Sequence, residues 1–212
     1  MLKRSAVILA GGFSKRFGQD KGLIELAGKP LILHVLDRIV DIVSEAVVVV
    51  SSDVQKKAFT SLLHDGADVV IDKLQTRSPL VGALTGFENV QAKYSVLLPC
   101  DTPLISSQVL SLLLELCINR GAVIPRWPNG YIEPLQAAYH RELALRAART
   151  ALEEKKLDLQ SMISHLIRVR FISTTVLQQM DSDLLTFFNI NTPEDLKRAE
   201  SILRRQPSKS QP

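Results

Sequence analysis

The sequence predicts an α/β fold: a three-layer α/β/α sandwich on a mostly parallel sheet. Three observations carry that expectation. Strand-like and helix-like segments alternate through residues 5–124, the pattern of successive βαβ units. Residues 46–50 are an unbroken apolar run with four valines, which suits a parallel strand buried on both faces. Ile32, Val35, Leu36, Ile39, Val40 and Val43 recur at helical spacing, the stripe a helix lays on such a sheet.

In chain order, residues 5–10 are a short buried strand that stops at Gly11 and Gly12. A loop continues to Gly22, and residues 23–26 suit a brief strand. Gly28-Lys29-Pro30 then turns into the first helix, where Pro30 is tolerated in the opening turn. After the strand at 46–50, Ser52 or Asp53 caps a helix carrying Val54, Ala58, Leu62 and Leu63, which His64-Asp65-Gly66 ends. Residues 68–71 are a third strand closing on Asp72. A polar loop over 73–78 leads to Pro79 and a helix with Leu80, Ala83, Leu84 and Phe87.

Residues 94–98 are a fourth strand, ended by Pro99-Cys100-Asp101-Thr102-Pro103. Ser106 or Ser107 caps a helix with Val109, Leu112, Leu113 and Leu116, and residues 121–124 are a fifth strand. Trp127-Pro128-Asn129-Gly130 is a turn. Residues 134–139 alternate as a strand able to pair with the fifth. Residues 141–152 and 159–166 are helical, and 169–172 and 185–188 suit strands. Thr192-Pro193-Glu194-Asp195 is a capping box opening a last helix to Arg205. One domain is expected over 1–205, with a disordered tail over 206–212.

Composition narrows the function classes. A chain of 212 residues, 46% hydrophobic and 23% charged, supports one substantial core. The net charge of +4 is mild, and only Lys197, Arg198, Arg204, Arg205 and Lys209 cluster. That cluster suits a solvated helix face and tail, so no nucleic-acid partner is expected. Cys100 and Cys117 lack metal or disulfide-framework spacing and suit a reducing cytoplasm. The apolar run at 6–10 is too short for a secretory leader. No run of 18 apolar residues exists, so no membrane partner is expected.

The chemistry centres on residues 9–21. Ligands of open parallel sheets bind beyond the carboxyl ends of the strands. The Gly11-Gly12 loop, Asp72 and Asp101 each follow a strand directly, so they are expected on one edge. Two glycines let a backbone approach a polyphosphate, and Lys15, Arg16 and Lys21 supply charge. Five residues separate Gly12 from Gly18, and Gln19 follows, which excludes a Walker loop; the G-x-G-x-x-G dinucleotide pattern is absent. A carboxylate stiffened between prolines, Asp101, suits Mg²⁺, which takes one or two carboxylates plus phosphates and waters. Asp72 is either a contact or a loop cap. Cys100 and Cys117 suit core positions. His34 suits a structural role, and His64, His140 and His165 lack ligand spacing. Trp127 and Tyr131 fit a satellite core better than a ring-binding pocket.

The stretch Leu9-Ala10-Gly11-Gly12-Phe13-Ser14-Lys15-Arg16-Phe17-Gly18-Gln19-Asp20-Lys21, with Gly28-Lys29-Pro30-Leu31, resembles nucleotidyltransferases that load molybdopterin and sugar phosphates. Asp72 with Pro79-Leu80-Val81-Gly82, Pro99-Cys100-Asp101-Thr102-Pro103, and Asn189-Ile190-Asn191-Thr192-Pro193-Glu194-Asp195-Leu196 are similar to motifs of the molybdenum cofactor guanylyltransferase (MobA-like) family. Phe17 stands where Met is usual, and Ser78 where Gly is common. Ser51-Ser52-Asp53 stands where relatives often place an Asn near the base.

The resemblance implies a Rossmann-like sheet of the nucleotide-diphospho-sugar transferase type and a single nucleotidyltransferase domain. It also implies a Mg²⁺-dependent transfer of GMP from GTP to the terminal phosphate of a molybdopterin cofactor, Mo- or W-loaded. Catalytic roles then fall to Arg16, Lys21 and Asp101. Leu9, Ala10, Gly11, Gly12, Lys21, Asp72 and Asp101 hold the nucleotide, with Asp101 on the metal. Asn189 and Asn191 face the acceptor or satisfy their own turn. Cofactor-accepting oxidoreductases are candidate recipients of the product. In relatives an L-A-G-G start goes with guanine, and Gly11 leaves room for a purine. A cytidylyl or sugar-phosphate transferase, and a GTP-binding scaffold without turnover, remain as alternatives.

Overall fold

The computed structural model describes residues 3–63, 66–72 and 78–205. The expected helix end at His64-Asp65, the loop over 73–77 and the tail over 206–212 lie outside these residues. Seven strands form the main sheet: β1 (Arg4–Leu9), β2 (Glu45–Val50), β3 (Asp68–Ile71), β4 (Tyr94–Pro99), β5 (Ala122–Arg126), β6 (Ala137–His140) and β7 (Val169–Ser173). Their order is β7-β5-β6-β4-β1-β2-β3. β1 pairs parallel with β2 and β4, β2 with β3, and β5 with β7, while β6 runs antiparallel between β4 and β5. The mostly parallel sheet is therefore as expected, with one reversed strand.

The helices are α1 (Leu31–Ile39), α2 (Asp53–Leu63), α3 (Pro79–Asn89), α4 (Ser107–Leu116), α5 (Arg141–Glu153), α6 (Leu159–Ser164), α7 (Thr174–Leu177) and α8 (Pro193–Arg205). Alternation along β1 splits the core into two layers. Ala6 and Ile8 pack with Ile32, Val35 and Ile39 of α1, Phe59 of α2, and Val109 and Leu113 of α4. Val7 packs on the other face with Leu80, Ala83 and Phe87 of α3, alanines of α5, and Met162 of α6. A third cluster joins Ile24, Leu26, Leu31, Leu104, Ile190 and Ala199. It ties the early loop and the last helix to the segment after β4.

Local chemistry accounts for the departures. α1 stops at Ile39, and the N–H groups of Ile42 and Val43 both return to its carbonyl. The chain rounds the helix end there, so Val40, expected on the buried face, is 67% exposed. The strand expected at 23–26 is a 3₁₀ turn over Lys21–Leu23, followed by a two-residue ribbon, Glu25–Leu26 against Lys29–Pro30. Within 134–139, only Ala137 onward joins the ladder, and it pairs with β4 as well as β5. Residues 185–188 are not a strand. The Asp181 carboxylate accepts from the Leu185 N–H at 2.9 Å and the Thr186 N–H and hydroxyl at 2.7 Å each, which removes donors a ladder needs and closes a 3₁₀ turn.

Gly86 is where α3 meets the sheet most closely. A methyl group there lies 2.1 Å from Val7 Cγ1. Alanine gains about 1 kcal/mol of helix propensity, while overpacking a core costs about 1–3 kcal/mol, and Val7 in the central strand has nowhere to retreat. Gly86→Ala is therefore expected to lower the urea midpoint; a raised midpoint shows that the core opens here.

Candidate active site

β1 delivers the chain to the carboxyl edge. The Ala10 N–H bonds Val49 O at 2.8 Å, extending the parallel pairing one residue before Gly11 and Gly12. The following segment is a small hairpin, with Phe13 opposite Asp20 and Ser14 opposite Gln19. Gly18 closes its tip at φ +67° and donates to Ser14 O at 2.9 Å, a conformation that favours glycine. The tip carries Lys15 and Arg16 into solvent. The Lys21 N–H then bonds Gly12 O at 3.0 Å, bringing the returning chain beside the glycines.

Lys21 is the meeting point of three segments. Its Nζ donates to Asp101 Oδ2 at 2.8 Å and to Asn191 Oδ1 at 2.7 Å. An ammonium has three donors, so one is left to face the cleft. Asp101, 7% exposed, follows β4, and the Cys100 N–H still bonds Leu9 O at 3.1 Å. The Asp101 carbonyl accepts from the Ile190 N–H at 2.9 Å, which docks the segment before α8. Arg16 Nη1 donates to Asn191 O at 3.3 Å. The capping box forms as expected: Thr192 Oγ1 accepts from the Asp195 N–H at 3.1 Å, and Asp195 accepts from the N–H groups of Asn191 and Thr192 at 3.0 and 2.9 Å.

The opposite wall follows β2 and β3. The Asp72 N–H bonds Val50 O at 2.8 Å, and its Oδ1 accepts from Thr85 of α3 at 3.1 Å. Ser51 Oγ donates to Gly11 O at 3.0 Å. The amino end of α3, with Ser78 bonded to the Val81 N–H at 3.2 Å, points its dipole at the space between the walls. That space is a cleft of about 720 Å³ lined by Leu9, Gly11, Gly12, Lys21, Asp72 and Asp101, among others.

Most of the expected site residues share this cleft. Ala10 is fully buried and does not line it. Arg16 lies beside it, on the Asn191 carbonyl. Asn191 joins through Lys21, whereas Asn189 is exposed and does not line the cleft. Ser51, Phe13, Ser78, Gly82 and Leu135 line it too. Ser51 follows β2 as Asp72 follows β3, so the rule that found Asp72 also covers it; no sequence signal marks Leu135.

Other groups have structural roles. Burial and the neighbouring Asp101 charge push the Cys100 thiol far up, and burial pushes Cys117 up to about 12, so both stay protonated. His34 Nε2 meets Leu26 O at 2.9 Å, and burial lowers its pKa. Trp127 is half-buried, edge-on to Phe187 and donating to Glu133 at 2.7 Å. Tyr131, expected in the satellite core, is 56% exposed because its hairpin tip points outward. Among the described residues no helix is long and apolar enough to cross a membrane.

The sheet order and edge cleft are those of an α/β nucleotidyltransferase. A cytidylyltransferase for 2-C-methyl-D-erythritol 4-phosphate from Thermus thermophilus shares the fold with a TM-score of 0.70 at 18% identity, over 96% of this chain and all of that one. Residues 6–169 match the MobA-like NTP transferase domain, and the chain belongs to that family. It is 31% identical to a probable molybdenum cofactor guanylyltransferase from Natronomonas pharaonis, over 96% of this chain and 100% of the relative. Its identity to another so described, from Natranaerobius thermophilus, is 35% over 94% and 96%. The molybdopterin-guanine dinucleotide biosynthesis protein A structure from Archaeoglobus fulgidus superposes with a TM-score of 0.80 at 28% identity, over 94% and 98% of the two chains.

The Asp195 cap has a pH signature. Burial raises its pKa, but hydrogen bonds from Asn191 and Thr192 outweigh burial and hold it below the ordinary 3.8. Its stabilising contribution is complete above that value and is lost as pH falls through the depressed one. Asp195→Ala is expected to cost about 1 kcal/mol at pH 6. In denaturation series on both proteins, that deficit should close on acidification below pH 3.8; a gap that stays constant contradicts the cap's charge dependence.

Proposed function

We propose that the protein transfers GMP from GTP to the terminal phosphate of a molybdopterin cofactor, releasing pyrophosphate. The observation that carries this reading is the meeting of Lys21 with Asp101 and Asn191 at the cleft mouth. It brings together a phosphate-binding cation, a metal-binding carboxylate and the motif that the family resemblance turns toward the acceptor. The names of the full-length relatives supply the choice of substrates.

The residues fit Mg²⁺. Among the described residues no group of three His, Cys, Asp or Glu is assembled, and magnesium in nucleotide sites needs only one or two carboxylates. Asp101 Oδ2 is taken by Lys21, and Oδ1 has no partner among the described residues, so one oxygen is left for a cation. When bound, the metal neutralises charge on the triphosphate.

Protein groups supply the rest. The backbone at Leu9, Gly11 and Gly12 accommodates the nucleotide, with Asp72 as a polar contact. Lys21 stabilises charge on the nucleotide phosphates, and Arg16 at the hairpin tip serves the departing pyrophosphate. The acceptor phosphate has a second pKa of about 6 and is mostly ionised at neutral pH. It attacks in line without a general base, and among the described residues no histidine lines the cleft. The same reading places the reaction in the cytoplasm, in keeping with two buried free thiols, and passes the product to cofactor-accepting oxidoreductases.

Pyrophosphate release with a molybdopterin acceptor tests the proposal. GTP is expected to react and CTP to react far more slowly; a preference for CTP overturns guanylyl transfer. Lys21→Ala should lower kcat/KM by about 10²–10³-fold. Asp101→Asn keeps the side chain's size and should abolish release; full activity in that variant removes Asp101 as metal ligand.

A further inference from the structure

Behind the cleft wall, one buried amide joins the two ends of the glycine hairpin. Gln55, in the first turn of α2, is 7% exposed, and a buried amide needs partners on both ends. Its Oε1 accepts from the Ser51 N–H at 2.7 Å, and its Nε2 donates to Asp20 Oδ1 at 2.7 Å. Its own N–H donates to Ser52 Oγ at 3.2 Å.

Each partner leads to the site. Ser51 holds the Gly11 carbonyl through its hydroxyl at 3.0 Å. Asp20 pairs with Phe13 across the hairpin and directly precedes Lys21. Gln55 thus braces the outgoing strand through Ser51 and the returning strand through Asp20. Only a side chain with an acceptor at one end and a donor at the other satisfies both. Glutamate of the same size sets an oxygen against the Asp20 carboxylate, and an aliphatic residue leaves both partners unpaired.

We propose that Gln55 is a positioning residue: it fixes the glycine hairpin, and through it Lys21, so nucleotide affinity depends on a side chain outside the cleft. The inference rests on the guanylyl-transfer reading only for the choice of nucleotide in the test. The clamp can be reversed: Asp20→Asn opposite Gln55→Glu restores a donor–acceptor pair with its direction exchanged.

Two measurements on Q55E, D20N and the double variant decide the matter. Trypsin cleavage after Lys15 and Arg16, at the exposed hairpin tip, reports hairpin order without any nucleotide. Calorimetric titration with GTP and Mg²⁺ reports affinity. Q55E is expected to be cleaved about tenfold faster and to bind GTP about tenfold more weakly, as for a buried polar group left unpaired. The double variant should return to within about twofold of wild type in both, the non-additivity of two residues in contact. A Q55E defect that D20N leaves untouched, or no defect in either measurement, overturns the clamp. If Q55E does not fold, recovery of the fold in the double variant supports the clamp, and failure to recover overturns it. If the wild-type chain does not bind GTP, the guanylyl reading falls and the cleavage arm alone decides the role of Gln55.

Discussion

A strand buried on both faces and paired on both edges leaves its chain only one place to meet solvent, which is its end. β1 is such a strand, with β2 and β4 on its edges and separate apolar layers above and below. Because β1 to β4 run parallel, their carboxyl ends open on the same side. Gly11, Ser51, Asp72 and Cys100-Asp101 are the residues at which the four chains leave the sheet. The cleft is a consequence of strand polarity before any side chain is chosen. Side chains then decide what the cleft holds.

The ion pair of Lys21 and Asp101 shows how the second half of the molecule enters. The two residues are 80 positions apart, and Asn191 lies 170 positions beyond Lys21. The third hydrophobic cluster makes this encounter reproducible, because it packs Ile24, Leu26 and Leu31 against Leu104, Ile190 and Ala199. The Asp181 turn contributes from the same side: Thr186 Oγ1 accepts from the Ser106 N–H at 3.1 Å at the start of α4. A partly buried pair of this kind adds little net stability, since desolvation offsets attraction. Its consequence is positional: it holds a cation and a carboxylate together in the wall of the cleft.

Much of this was legible in the residues. Short apolar runs located β1 to β4, and strand polarity put Asp72 and Asp101 on one edge. Thr192-Pro193-Glu194-Asp195 announced its own cap. What stayed hidden depended on bonds that side-chain periodicity does not encode. Leu185, Thr186 and Phe187 have strand-like side chains, but the Asp181 carboxylate claims the donors of the first two and the Leu184 carbonyl that of Phe187. Val40 satisfies helical spacing, yet the chain turns around Ile39 before that spacing applies. Gln55 has a local cap pattern with Ser51 and Ser52 but none for Asp20, and Asn191 has none for Lys21, because those two bonds are made across the fold.

At Gly11 the fold adds a constraint that the sequence does not show. Read alone, its missing side chain leaves room for a purine. In the fold, a methyl group at this position lies 2.1 Å from Ser51 Oγ and 3.3 Å from Ser51 Cβ. The space is thus shared with the serine that holds the Gly11 carbonyl. An alanine here displaces the Ser51 hydroxyl before it reaches any base, and with it the link to Gln55 and Asp20. Space in the cleft and the order of the hairpin therefore meet at a single Cβ. The residue pair at positions 11 and 51, rather than the glycine by itself, is the physical unit that shapes this wall of the cleft.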